Sequence, residues 1–205
     1  MIPKVKICGI TNLEDALAAQ RYGADALGFI FYPKSPRYIQ PRDARRIIVK
    51  LSKKIKKIGV FVNPLAAYAT RIATLCGLDM LQFHGDEPPD FCRKFPGHTI
   101  IKAFRVKGKH SLTRIHEYKT DYYLFDTYVK GSFGGTGKRC NWPLIKKLKT
   151  TRPFFISGGL NPENVAFLIK AVHPDWVDVS SGVEVSAGIK DKGLMRKFMA
   201  QVRAE

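Results

Sequence analysis

Eight short apolar segments, each followed by turn residues and a helical pattern, constrain the fold of this chain more than any other feature. Most of them are apolar without interruption, which is typical of strands covered on both faces of a parallel sheet. Eight strand-helix units in 205 residues predict an α/β fold of the (β/α)8 or TIM-barrel class. The segments begin near Lys4, Ala26, Lys57, Asp79, Thr99, Tyr122, Pro153 and Trp176.

Start and stop signals define several of the helices. Asn12 precedes the first helical pattern and Asp191 precedes the last, so we expect their side chains to cap the helix N-termini. Pro41 is predicted to begin the second helix, and Gly77 is predicted to end the third. The fourth and fifth helices are the least strongly predicted, because proline and glycine interrupt their patterns.

An open, doubly wound sheet is the alternative arrangement for such a pattern. That fold usually carries a Gly-x-Gly-x-x-Gly turn after its first strand, whereas this chain has Cys8-Gly9-Ile10-Thr11 there. No linker, repeat or low-complexity segment divides the chain, and 45% hydrophobic content suits one well-buried core. We therefore expect residues 1–205 to form a single barrel domain.

Cysteine usage and hydropathy indicate the compartment. The four cysteines are scattered, form no C-x-x-C pair and follow no secretory signal, which favours a reducing cytoplasm. No apolar run reaches the roughly 20 residues that a membrane-spanning helix needs, so no membrane association is expected.

The net charge of +18 would attract any anion, whether nucleic acid, a membrane surface or a small phosphorylated substrate. A nucleic-acid-binding protein is the main rival from another class. Such a protein concentrates basic and aromatic residues on one face, whereas here the basic residues are spread from Lys4 to Arg203. We therefore expect a small phosphorylated substrate and no nucleic acid.

Cys8 and Asp126 at predicted strand ends can transfer protons near neutrality, with His84 as a third candidate, and a (β/α)8 barrel has its active site at those ends. Cys8 follows the first strand, and as a base it would have to be a thiolate. Because a free thiol has a pKa of about 8.5, a nearby cation or a positively charged substrate would have to help. Buried cysteines are nevertheless usually apolar packing residues.

Asp126 follows the apolar residues 122–125 of the sixth strand. Burial favours the protonated form of a carboxyl group, which would let Asp126 donate a proton. A helix cap or a loop anchor is an equally plausible role from the sequence alone. No cluster of His, Cys and Asp has convincing metal-ligand spacing, so no metal is expected.

Glycine-rich loops follow the last three strands. Gly158-Gly159 after the seventh strand and Ser181-Gly182 after the eighth could let backbone N–H groups approach a phosphate. The loop after the sixth strand, which includes Gly134-Gly135-Thr136-Gly137, is expected to act as a lid or to contact phosphate. Glycine turns also occur for backbone reasons alone.

Three further polar residues are candidates for substrate contacts. Arg37 lies in the loop after the second strand between restrictive prolines, and its planar guanidinium suits a two-pronged bond to a carboxylate. Gln82 and His84 are two apart on one side of the fourth strand and could also contact substrate. Satisfied polar groups in the core or at its rim are at least as common at such positions.

Five motifs in this order closely resemble the phosphoribosylanthranilate isomerase family of tryptophan biosynthesis over essentially the whole chain. They are Lys6-Ile7-Cys8-Gly9-Ile10-Thr11, Ser35-Pro36-Arg37, Gln82-Phe83-His84-Gly85, Gly134-Gly135-Thr136-Gly137 and Ser181-Gly182-Val183-Glu184. The resemblance implies a (β/α)8 barrel that catalyses an Amadori rearrangement without metal or organic cofactor, as a monomer or a homodimer.

The resemblance also implies roles for individual residues. Asp126 matches the general acid, Cys8 the general base and Arg37 the contact to the anthranilate carboxylate. The backbone around Gly158, Gly159, Ser181 and Gly182 matches the phosphate cradle. The chain departs from the family at Cys140-Asn141 and at Ala187, away from the acid-base pair. The related histidine-pathway sugar-phosphate isomerases use aspartates as both acid and base, so Cys8 argues against that alternative.

Overall fold

Eight parallel strands form a closed barrel in the computed structural model, which describes residues 2–128, 142–148, 150 and 152–205. Each strand pairs with its neighbours in chain order, and the eighth pairs with the first. The predicted (β/α)8 barrel class is therefore confirmed. The strands are β1 (Lys4–Cys8), β2 (Ala26–Ile30), β3 (Lys56–Phe61), β4 (Met80–Phe83), β5 (Thr99–Val106), β6 (Tyr122–Thr127), β7 (Phe154–Ile156) and β8 (Trp176–Val179).

The helices alternate with the strands, and an antiparallel pair, β9 (Glu184–Ser186) and β10 (Ile189–Lys190), lies between β8 and the last helix. Asn12 and Asp191 cap the first and last helices as predicted, each accepting a backbone hydrogen bond of 2.8 Å. The helices are α1 (Leu13–Arg21), α2 (Pro41–Ile48), α3 (Ala66–Cys76), α4 (Pro89–Cys92), α5 (Trp142–Lys146), α6 (Val165–Val172) and α7 (Lys192–Arg203).

The connection between β5 and β6 differs from the expected α-helix. It contains two short 3-10 helices, Lys109–Leu112 and Ile115–Glu117. Gly108 and the Ser, Thr and His residues that follow it have low helix propensity, and tight 3-10 turns suit such short pieces. Leu112 and Ile115 are buried and attach this connection to the core.

Side chains alternate along the strands, so that every second one points into the barrel. An apolar cluster from seven of the eight strands fills the amino-terminal half of the interior. On four of these strands the residue two positions further along is polar or charged, and the carboxyl-terminal mouth follows: these residues are Gln82, Asp126, Ser157 and Asp178. The apolar layer consists of Ala26, Ile58, Met80, Ile101, Ala103, Leu124, Phe155 and Trp176.

Four aspartates repeat one hydrogen bond around the amino-terminal end of the barrel. Each stands immediately before an even-numbered strand, and its carboxylate accepts a backbone N–H from the preceding odd-numbered strand at 2.7–2.9 Å. These bonds join the strands in pairs on the face opposite the mouth, where (β/α)8 barrels place residues that serve stability. The pairs are Asp25 with Val5, Asp79 with Lys57, Asp121 with Ile100 and Asp175 with Phe154.

Candidate active site

Asp126 lies buried on β6 at the carboxyl-terminal mouth and is held on both oxygens. Oδ1 accepts the Thr127 backbone N–H at 2.7 Å, and Oδ2 lies 3.1 Å from Nε2 of His84. The Nε2 amide of Gln82 lies 2.8 Å from Nδ1 of His84. In this orientation the Gln82 amide N–H donates a hydrogen bond to Nδ1 of His84. A neutral His84 then carries its hydrogen on Nε2, and this N–H donates a hydrogen bond to Asp126 Oδ2.

Gln82 on β4 and His84 directly after it therefore point to the same side, as their spacing predicts, but they also form a hydrogen-bonded chain that ends on the carboxyl group of Asp126. This link could not be predicted from the sequence, because it connects β4 to β6 across the intervening β5. The amide oxygen of Gln82, Oε1, is buried and has no hydrogen-bond partner among the described residues.

Cys8 lies buried at the end of β1, also at the mouth. Burial raises the pKa of its thiol, the positive charge of Lys6 opposes that rise, and the Asp178 carboxylate reinforces it. The backbone carbonyl of Cys8 accepts hydrogen bonds from Ser180 Oγ at 3.0 Å and from the Lys190 ammonium at 2.5 Å. These two bonds fix the strand end that presents the sulfur.

An ion pair inside the barrel lies on the strands that flank Cys8. Lys6 Nζ is 2.9 Å from Asp178 Oδ1, and both side chains are buried. Sequence reasoning assigned neither residue to the site. The sequence nevertheless contains an indication of such a pair. Lys6 stands between the apolar residues Val5 and Ile7, and a charge within a buried strand requires a buried partner.

Arg37 lies at the mouth, as predicted, but it is already paired with a carboxylate of the protein. Its Nε and Nη2 atoms bind Glu184 at 2.7–3.0 Å, and Lys190 Nζ also binds Glu184 at 2.7 Å. Burial alone would raise the pKa of Glu184, but hydrogen bonds and charges from Arg37 and Lys190 outweigh burial and hold it below the ordinary 4.5. Glu184 belongs to a motif that the sequence analysis identified, but was given no role there.

The side chain of Arg37 packs on the end of β1. A β-carbon added to Gly9, which has a φ of 78°, would lie 2.7 Å from Arg37 Cδ and 3.0 Å from Ser180 Oγ. Glycine at this position therefore allows the arginine to pass next to the strand that carries Cys8.

The predicted phosphate-binding loops after β7 and β8 lie against each other. Gly158 and Gly159 adopt φ values of 87° and 65°, and Ser181 and Gly182 form a 3-10 turn after β8. A β-carbon on Gly182 would collide with the Leu160 carbonyl oxygen, so only glycine allows this approach of the two loops. The predicted lid residues Gly134, Gly135, Thr136 and Gly137 lie outside the described residues.

Two searches of the described part of the chain gave no candidates. Within residues 2–128, 142–148, 150 and 152–205, no group of three or more His, Cys, Asp and Glu side chains could hold a metal ion. Among the helices in the same ranges, none combines the length and the apolar character required to cross a lipid bilayer.

The fold and the site define a class, that of (β/α)8-barrel enzymes with ionisable groups and a glycine-lined loop pair at the carboxyl-terminal mouth. The sequence model described as N-(5'phosphoribosyl)anthranilate (PRA) isomerase matches residues 5–201. The chain belongs to this family, so the resemblance inferred from the motifs is confirmed.

Individual relatives agree with this assignment over the full length. An N-(5'-phosphoribosyl)anthranilate isomerase of Geobacter sp. (strain M21) is 48% identical over 200 residues, which cover 98% of each chain. The crystal structure of phosphoribosyl anthranilate isomerase from Thermotoga maritima is 42% identical, with a TM-score of 0.92 over 99% of this chain and 100% of that one.

A further crystal structure of a phosphoribosyl anthranilate isomerase contains reduced 1-(o-carboxyphenylamino)-1-deoxyribulose 5-phosphate. It is 41% identical to this chain, with a TM-score of 0.85 over 99% of this chain and 100% of that one.

Proposed function

We propose that this chain catalyses the Amadori rearrangement of N-(5-phosphoribosyl)anthranilate to 1-(2-carboxyphenylamino)-1-deoxyribulose 5-phosphate in tryptophan biosynthesis, by general acid and base catalysis without a cofactor. The observation that carries the proposal is the buried Asp126 carboxyl group, held by His84 and Thr127 at the same mouth that presents Cys8. Membership of the isomerase family and the sugar-phosphate ligand in a relative support it.

In the first step, Asp126 donates a proton to the furanose ring oxygen, and the ring opens to a Schiff base. The carboxylate that remains keeps a hydrogen-bond donor on each oxygen, the Thr127 N–H on Oδ1 and His84 on Oδ2. These donors hold the carboxylate in place at the mouth after the proton has left. The Gln82 contact to His84 holds the imidazole in position for this purpose.

In the second step, the Cys8 thiolate removes the proton from ribose carbon 2. The positive charge of the iminium intermediate makes that proton more acidic and attracts a thiolate. The product enolamine then tautomerises to the ketone. General acid or base catalysis of this kind contributes about 10²–10⁴-fold to a rate, and we expect losses of that size when either group is removed.

Binding roles complete the proposal. Arg37 contacts the anthranilate carboxylate, and Gln82 and His84 also contact substrate. The lid spans Gly134, Gly135, Thr136 and Gly137. The backbone of Gly158, Gly159, Ser181 and Gly182 binds the phosphate. We further propose that residues 1–205 act as a single catalytic domain, as a monomer or homodimer in the cytoplasm, with no nucleic-acid or membrane partner.

The experiment is a fluorescence assay in which N-(5-phosphoribosyl)anthranilate is generated in situ and its decay is followed after the protein is added. We expect rapid decay with the parent and about 10²–10⁴-fold slower decay with Asp126→Asn. Asp121→Asn is the matched control, because it makes the same change at the opposite end of β6. Full activity in Asp126→Asn, or no activity in a folded parent, would refute the proposal.

A further inference from the structure

Lys6 is fully buried in the barrel interior and is one of the largest side chains with no exposed surface. It lies directly opposite Asp178 in the register of β1 and β8, and the two side chains form the 2.9 Å ion pair. A buried ion pair is weak evidence for stability, because apolar residues of similar volume often serve a core as well or better. The position of the pair relative to Cys8 suggests another use.

Lys6 and Cys8 point to the same side of β1, since they are two residues apart. Gly28 on β2 lies opposite Cys8 in the register. A β-carbon on Gly28 would lie 2.7 Å from Cys8 Sγ and 3.0 Å from Lys6 Cε. The thiol and the end of the lysine side chain therefore pack against the same α-carbon, where Gly28 carries only a hydrogen atom.

We propose that Lys6, held by Asp178, is a positioning residue for the reaction: its ammonium group stabilises the Cys8 thiolate that removes the ribose proton. This inference rests on the proposed role of Cys8 as the base. When the thiolate forms, the thiol proton leaves to solvent. The thiolate then takes the proton from carbon 2 and becomes a thiol again. Lys6 keeps its own protons throughout and touches neither substrate nor product.

Three charged groups from three strands face Cys8, namely Lys6 on β1, Asp178 on β8 and Lys190 on β10. Lys190 binds the backbone carbonyl of Cys8 and shares the Glu184 carboxylate with Arg37. Burial raises the pKa of the thiol, and among the charges Lys6 opposes that rise most strongly. Lys6 thus supplies the nearby cation that a cysteine base requires.

The test is an ultraviolet titration of the Cys8 thiolate without substrate, with Cys8→Ser carrying the same second change as the blank. Lys6→Met removes the cation and leaves Asp178 nearby, so we expect the Cys8 pKa to rise by about 1–3 pH units or beyond the measurable range. Asp178→Asn leaves the cation without its partner, so we expect the pKa to fall. A purely structural role would not give shifts of opposite sign.

Lys102→Met is the matched control, because Lys102 on β5 is another buried lysine in an ion pair, with Glu87 of the β4–α4 connection at 2.6 Å. It should leave the Cys8 pKa unchanged. If Lys6→Met does not fold, the double variant Lys6→Met/Asp178→Asn carries no unpaired charge and should show a smaller rise. No rise in either variant, or shifts of the same sign in Lys6→Met and Asp178→Asn, would overturn the inference.

The pH profile of kcat/KM separates this inference from the proposed function. We expect the rising limb of the profile to move to higher pH in the Lys6 variant, parallel to the thiol titration. An inactive parent whose thiol titrates as described would refute the proposed function alone. An active parent whose thiol does not respond to Lys6 or Asp178 would refute the role of Lys6 alone.

Discussion

Gly158→Ala tests whether the loop after β7 supports Asp126. Gly158 has a φ of 87°, and an added β-carbon would collide with Thr127 Oγ1 and lie 2.8 Å from Asp126 Oδ1. The left-handed backbone costs about 1–2 kcal/mol for a residue with a β-carbon. Overpacking against fixed neighbours adds about 1–3 kcal/mol. We therefore expect unfolding free energy to fall by about 2–5 kcal/mol.

Activity should fall further than stability explains, because the added β-carbon also lies 2.8 Å from Asp126 Oδ1 and 2.8 Å from the Thr127 backbone nitrogen that holds this oxygen. A displacement of about 1 Å in a catalytic group can cost about 10²-fold in rate. We expect kcat for N-(5-phosphoribosyl)anthranilate to fall by about that factor in protein that is still folded at the assay temperature. Urea unfolding and steady-state kinetics measure the two effects separately.

Gly97→Ala is the matched control for backbone strain. Gly97 has a φ of 83°, close to that of Gly158, but nothing lies within 4 Å of an added β-carbon. The Gly97→Ala variant should lose only the unfolding free energy that backbone strain costs, about 1–2 kcal/mol, and should keep full kcat. If the Gly158 and Gly97 variants show equal stability and equal kcat, the proposed contact between the loop and Asp126 does not constrain the site.

Three further predictions follow from named contacts. Glu184→Gln removes the carboxylate that orients Arg37, and we expect KM for substrate to rise several-fold in steady-state assays, with the chemical step less affected. The lowered pKa of Glu184 means that its stabilisation is present above pH 4.5 and is lost as the pH falls below it, so acid unfolding should be less steep in Glu184→Gln than in the parent. Asp121→Ala leaves the Ile100 N–H without its acceptor, so thermal or urea unfolding should show a loss of about 1–3 kcal/mol, with kcat unchanged.

The barrel could be predicted from the sequence because its signals are local. Continuous apolar segments define buried strands, and residues such as Asn12 and Asp191 cap helices through contacts three positions away. The connection between β5 and β6 was predicted poorly because its local signals are weak. Its weak helix formers leave the outcome to tertiary packing, which a local pattern does not contain.

The partners of the charged site residues could not be predicted. Lys6 and Asp178 are separated by 172 positions, and Arg37 and Glu184 by 147. Closure of the barrel brings β8 next to β1 and thereby places Lys6 opposite Asp178. Arg37, in the loop after β2, and Glu184, on β9, meet above these strands at the mouth. With 35 basic and 17 acidic residues in the chain, many pairings were compatible with the sequence. The register of β1 and β8 and the path of the loops at the mouth select among them.

The order of the two proton transfers is the central claim, and reductive trapping tests it most directly. Borohydride reduces the ring-opened Schiff base to a stable secondary amine, which mass spectrometry identifies. Cys8→Ala keeps the Asp126 acid and lacks the base, so we expect it to yield more trapped open-chain amine than protein-free substrate does. Asp126→Asn should yield no more than protein-free substrate. The reverse pattern, with trapping in Asp126→Asn and none in Cys8→Ala, would contradict the assignment of acid and base.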